Sequence, residues 1–298
     1  MNRITSTTSN RLMLSDLNKA NRAMVRAQER ISSQKELSRA SDGPASTLAA
    51  LDHRGALRRS EQFQRNASDA RNWLSAGDTA LTSSVEELNH VRTLVISAQS
   101  GASDPNSLAA IAAEIRTVRE SMLSLANTEH LGRPIFAGTA DVAAAFDATG
   151  AYLGDQGAIG RPVAPSVTVQ VNRTGTQVFG TPAANPLDGD VFQILDALAS
   201  SLAAGDKSTI GAGMVKLEAA VDRIEASQVE LGARARQIED VMARTEISDI
   251  ERKQALSEVE DVDIAQALID MSAKEFGYNA ALSASAKVMQ TSLLDFLR

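Results

Sequence analysis

Residues 217–242 read "LEAAVDRIEASQVELGARARQIEDVM". Within them Leu217, Val221, Ile224, Gln228, Leu231, Ala235, Ile238 and Met242 recur at alternating steps of four and three. That spacing lays one narrow apolar stripe along a helix and calls for a partner helix to cover it. The rhythm returns along the chain. Leu108, Ile111, Ile115, Val118, Met122 and Leu125 carry it without a lapse, and Leu74, Leu81, Val85, Leu88 and Val95 carry it beside the single Trp73. Near the start it runs through Met13, Leu17, Ala20, Met24, Ala27 and Ile31. Its phase slips between Val259 and Ile264, then resumes through Ile264, Leu268, Met271, Tyr278 and Leu282. From Leu282 the stripe continues through Met289, Leu293, Phe296 and Leu297.

Composition fits this pattern. The 298 residues are 43% apolar but only 3% aromatic. Packing therefore falls to Ala, Leu, Ile, Val and Met, which suits closely approaching helices. A net charge of −7 argues against a nucleic-acid partner, which would need a basic face. There is no cysteine, so no disulfide, thiolate metal site or cysteine nucleophile is available. No apolar run reaches the ~18 residues of a membrane span, so no membrane insertion is expected. The opening "MNRITSTTSNRLMLSDL" lacks the apolar core of a cleaved secretory signal. His53, His90 and His130 have no partner at metal-ligand spacing. Phosphate-binding glycine loops and the nucleophile elbow are missing. The acidic clusters Glu86-Glu87, Glu239-Asp240 and Glu258-Val259-Glu260-Asp261 read as solvated helix faces. No catalytic constellation, cofactor or metal is expected, and the chain is not read as an enzyme.

The breaks between stripes are equally legible. Gly43-Pro44 in "SRASDGPAS" (38–46) ends the first helix, and a second runs from about 45 to 100. In "SGASDPNS" (100–107) Gly101 can end a helix and Asp104-Pro105 can start the next, predicting an antiparallel helical hairpin. From 127 to about 190 glycine and proline become frequent. There "SVTVQVNRTGTQVFG" (166–180) alternates in period two and predicts a β-hairpin turning at Arg173-Thr174-Gly175. A helix follows over 188–206, with Asp188 or Asp190 as N-cap and Gly205 as terminator. The expected fold is mainly α: a long antiparallel helical bundle or coiled coil formed by both chain ends, with a small β-rich insert in the middle. The expected division is a terminal coiled coil (1–40 with 255–298), a helical bundle (41–130 with 188–254) and the insert (131–187).

Exposing Leu282, Met289, Leu293, Phe296 and Leu297 would forgo on the order of 10 kcal/mol, at ~1.5–3 kcal/mol each. These five, with Met13, Leu17, Met24 and Ile31, are therefore the candidate interface, expected to find cover on other subunits or a chaperone.

Several stretches resemble one family in order and spacing. "AQERISSQKELSRASDGPAS" (27–46) is similar to the "LSSGKRI…PSDDP" stretch of flagellins, with Gln34 standing where a glycine is usual and Gly43 where a second aspartate is usual. Residues 61–101 resemble the first long helix of their helical domain. "LANTEHLGRPIFAGT" (125–139) resembles the "LAN…G.YLFAGT" of the hook-associated protein 3 family, where filament flagellins carry an "FNG..LL" type sequence. "EDVDIAQALIDMS…ALSASAKVMQTSLLDFL" is similar to the family's ending. The resemblance implies a structural subunit of the extracellular flagellum, self-associating in a ring that joins hook to filament. It implies neighbouring hook-associated protein and flagellin subunits as partners. It further implies export, unfolded and uncleaved, through the flagellar type III apparatus, with a cytosolic chaperone on the C-terminal helix. Filament flagellin itself, or a helical signalling coiled coil, are the alternatives.

Overall fold

The computed structural model describes residues 6–296 except 38, 40, 42 and 101–103. The chain forms two compact units, Met1–Arg59 with Ser248–Arg298, and Ser60–Ile247. Helices dominate: α1 (Ser6–Ser33), α2 (Pro44–Ser100), α3 (Pro105–Ala126), α4 (Gly175–Phe179), α5 (Val191–Ala204), α6 (Lys207–Glu260) and α7 (Ile264–Phe296). Strands β1 (Glu129–His130) with β2 (Arg133–Pro134), and β3 (Gly160–Ala164) with β4 (Val167–Gln170), form two separate antiparallel pairs. A mainly α fold carrying a small β-rich insert is what the spacing of apolar residues predicts.

In the unit Ser60–Ile247 the seven-residue repeat decides what is buried. Leu74, Leu81, Leu88 and Val95 of α2, and Leu217, Ile224, Leu231 and Ile238 of α6, are all buried. The intervening positions Val85, Val221, Ala235 and Met242 pack at the edge of the same core. Gln228 is the polar member of the α6 seam, and its amide donates to Thr82 Oγ1 at 2.8 Å. The pairing satisfies a group that the seam would otherwise desolvate. Ile115, Val118 and Met122 of α3 complete the core, and α3 also packs along α5. Pro105 opens α3. Asp190 caps α5 by accepting from the Gln193 amide at 2.8 Å, and Gly205 ends it at φ +70°. Burial raises the Asp190 carboxyl above its ordinary value. The guanidinium of Arg223 lies in the same buried region and donates to the Val178 and Phe179 carbonyls that end α4.

The insert departs from its sequence reading at one point. The hairpin turns at Pro165-Ser166, between β3 and β4, and not at Arg173-Thr174-Gly175. Ser166 takes φ +62° there. Residues 174–177 instead make a capping box: Thr174 caps α4, and Gln177 reaches back to its amide. A Thr-x-x-Gln pattern outcompetes the turn tendency of Thr-Gly because it satisfies two helix-start amides at once. Asn172 is buried, accepting from Ile159 N and donating to Gly157 O. Phe136, Phe146, Phe179 and Phe192 converge with centroid separations of 5.2–5.9 Å, so nearly all the aromatic packing sits here. Burial pushes the Tyr152 phenol up to about 12.

Gly138 has φ +71°, and a Cβ there would fall 2.1 Å from Asp155 Oδ1 and 2.5 Å from its carbonyl oxygen. Asp155 accepts from the Thr139 amide and hydroxyl, so it cannot retreat without losing both. Gly138→Ala is expected to destabilise this unit by about 2 kcal/mol or more. Denaturant unfolding followed by Trp73 fluorescence checks this, and an unchanged midpoint would show that the turn does not need glycine.

Candidate assembly surface on the terminal helices

In the unit formed by the two chain ends, α1 packs on α7. The end of α1 lies at the start of α7, so the helices run antiparallel. Arg30 donates across this pair to Asp270 at 2.5 Å, and also to Glu36, just past the end of α1, at 3.0 Å. Among the described residues only Ala27 on α1 and Ala267 on α7 are fully buried hydrophobics in the contact. Small side chains at both positions let the helices approach closely, but they bury little area.

The candidate interface residues divide accordingly. Met13, Leu17, Met24 and Ile31 are half-buried on α1, so α7 covers part of that stripe. Leu282 is 39% exposed. Met289, Leu293 and Phe296 belong to α7, but their side chains lie outside the described residues, as does Leu297 altogether. What the four-three reading misses is a set of further apolar residues left exposed on both helices. Leu12, Leu14 and Val25 on α1, with Ile269 and Phe276 on α7, are all exposed, Phe276 at 77%, and so is Leu268 of the traced stripe. The inward positions of α7 are Ala267, Met271, Tyr278 and Ala281. Ile269 and Phe276 are seven residues apart, so a heptad search for more than one stripe per helix would have found them.

One polar feature closes this unit. Residues 34–36 pair antiparallel with 260–262: Glu36 N donates to Glu260 O at 2.7 Å and Val262 N to Gln34 O at 3.1 Å. Lys35 Nζ lies 2.5 Å from Asp261 and 3.3 Å from Glu260, and Arg54 lies 2.7 Å from the other Glu260 oxygen. Gln34 adopts φ +56°, so the backbone keeps the left-handed geometry that the usual glycine would supply. Among the described residues no group of three or more His, Asp or Glu is arranged to hold a metal ion, and no helix is long and apolar enough to cross a membrane.

Comparison with known proteins follows the same lines. The bacterial flagellin N-terminal helical region matches residues 4–141. Flagellar hook-associated protein 3 of Salmonella typhimurium is 27% identical over 184 residues, 58% of this chain and 58% of that protein. The chain thus matches somewhat over half the length of that relative. Flagellin of Bacillus subtilis is 26% identical over 233 residues, 76% of each chain. In fold, a flagellar hook-associated protein from Vibrio parahaemolyticus superposes with a TM-score of 0.67 at 20% identity, covering 74% of this chain and all of that one. The N-terminal region, the relatives and the fold are each similar to flagellin-type proteins, hook-associated protein 3 among them.

Two outcomes are expected. Gln34→Gly should stabilise the terminal unit by about 0.5–1 kcal/mol, because it removes a side chain from a left-handed conformation; hydrogen exchange of α1 amides measures it, and a loss of protection would contradict it. The second concerns pH. The hydrogen bonds of Lys35 and Ser257 hold the Asp261 carboxyl below its ordinary value, and that of Asp261 chiefly holds the Lys35 amine above its own. A depressed carboxyl stabilises the fold above its unfolded value and loses that effect as pH falls through the folded one; a raised amine does so below its unfolded value and loses it as pH rises. The contact should therefore hold between about pH 4 and pH 10 and weaken outside that window. Melting followed by circular dichroism, wild type against Asp261→Asn, tests this: the variant should lose part of the acid limb.

Proposed function

We propose that this flagellin-type chain is a structural subunit of the bacterial flagellum at the junction between hook and filament, working by assembly and not by catalysis. The observation that carries the reading is the stretch "LANTEHLGRPIFAGT". Each of its characteristic residues has a physical task. Leu131 and Gly132, at φ +52° and +75°, make the two-residue turn between β1 and β2. Ile135, Phe136 and Ala137 are buried at the root of the insert, and Gly138 passes against Asp155. The stretch is thus a structural signature of how this insert joins its bundle, and it resembles the junction proteins and not the filament flagellins. The relative named flagellar hook-associated protein 3 supports the same choice.

On this reading the segments 1–40 and 255–298 form the assembly domain, 41–130 with 188–254 the bundle, and 131–187 the outer domain. Subunits self-associate in a ring, touching a neighbouring hook-associated protein and flagellin. The contacts run through Met13, Leu17, Met24 and Ile31 with Leu282, Met289, Leu293, Phe296 and Leu297. Before export without a cleaved signal, a cytosolic chaperone covers the C-terminal helix. What supports this is the apolar surface still uncovered when α1 and α7 are packed together.

Cells lacking the chain are expected to make hooks and to shed flagellin into the medium; normal filaments in such cells would refute the assignment. Leu17→Asp and Leu282→Asp should abolish filament attachment while leaving Trp73 fluorescence unchanged. Full attachment in both variants would remove these residues from the interface.

A further inference from the structure

We propose that the pairing of residues 34–36 with 260–262 is an ionic latch, in which Lys35, Arg54 and Glu260 are positioning residues that fix the register of α1 against α7. Three observations carry it. First, the apolar contact between these helices specifies register poorly. Among the described residues only Ala27 and Ala267 are fully buried in it, and Met13, Leu17, Met24 and Ile31 with Met271 and Tyr278 are only half-buried, so no deeply inserted side chain pins the helices at one position. Second, the Glu260 carboxylate is 4% exposed, and its two oxygens each meet one cation, Arg54 at 2.7 Å and Lys35 at 3.3 Å. A buried carboxylate without such partners is strongly unfavourable, and register selection is the best-attested use of buried polar groups. Third, the backbone bonds on either side of the Lys35–Asp261 pair fix the two segments residue against residue. Arg30 with Asp270 repeats the specification further down the seam. Sliding α1 by one residue moves it ~1.5 Å and turns it by ~100°, which would separate both ion pairs at once. The latch is a property of the single chain and does not rest on the hook–filament reading.

Its bonding pattern provides a test. Lys35 and Asp261 form a non-hydrogen-bonded antiparallel pair, with Cα atoms ~4.5 Å apart in that geometry, close enough for a disulfide. The chain has no other cysteine, so a Lys35→Cys/Asp261→Cys link would be unique. In the dilute full-length protein, Glu260→Gln is expected to speed amide exchange in α1 by about tenfold or more. Trp73 fluorescence, which reports the other unit, should not change. Adding the cysteine pair to Glu260→Gln should restore α1 protection when oxidised and lose it again on reduction. Undiminished protection of α1 in Glu260→Gln would overturn the proposal. So would an oxidised link that leaves α1 unprotected, since register would then be set elsewhere. Hooks shedding flagellin or keeping it would bear on the assembly reading alone.

Discussion

A helix whose apolar residues fall at every seventh position has one narrow face to bury, and it cannot bury it alone. Leu217, Ile224, Leu231 and Ile238 meet this constraint by facing Leu74, Leu81, Leu88 and Val95, a second helix with the same repeat. Aliphatic and alanine side chains supply nearly all of this contact, so the backbones must come close. Gly77 shows how close: a Cβ there would sit 3.1 Å from Leu231 Cδ1. Gln228 bonded to Thr82 then marks one register among those that the repeat alone would permit. The bundle is specified by geometry more than by bulk.

The insert solves the opposite problem. It is too short for a helical seam and has little regular sheet, so it relies on four clustered phenylalanines and on side chains that satisfy backbone groups. Asp155, Asp147 and Asn172 each bond two or more main-chain groups. Hydrogen bonds from Thr139 and Thr149 hold Asp155 and Asp147 below the ordinary carboxylate range. Asp69 of α2 lies 3.1 Å from Arg161, and Asn66 donates to Pro162 O, tying β3 to the bundle.

The long helices were legible because a seven-residue repeat sustained over several turns has one structural meaning. Even the break between α6 and α7 falls at 260–264, where the apolar phase slips. The hairpin was legible as a hairpin but not in its turn. Alternation across 166–171 fits a strand, yet only the capping bonds of Thr174 and Gln177 reveal that 175–179 is helical. The 34–36 contact with 260–262 joins segments 226 positions apart. No local pattern encodes a contact at that separation; the two segments look like ordinary loops, one charged and one acidic. The four-three reading of the terminal helices was incomplete in extent, because exposed apolar residues such as Val25, Ile269 and Phe276 lie off the stripe it traced.

These exposed residues bear on which interactions a terminal helix can keep for itself. Along α7 the inward positions hold Ala267, Met271, Tyr278 and Ala281, while Leu268, Ile269 and Phe276 face outward. A helix meant to finish its burial within one chain would place the larger aliphatic groups inward, where each contributes ~1.5–3 kcal/mol. Here the intramolecular contact takes Met271 and Tyr278 along with two alanines, and charge pairs at Arg30 and Lys35 accompany it. Leu268, Ile269 and Phe276 stay exposed in the single chain. Under the proposed latch, register would be set within the subunit, and these exposed groups would be the ones available for contact between molecules.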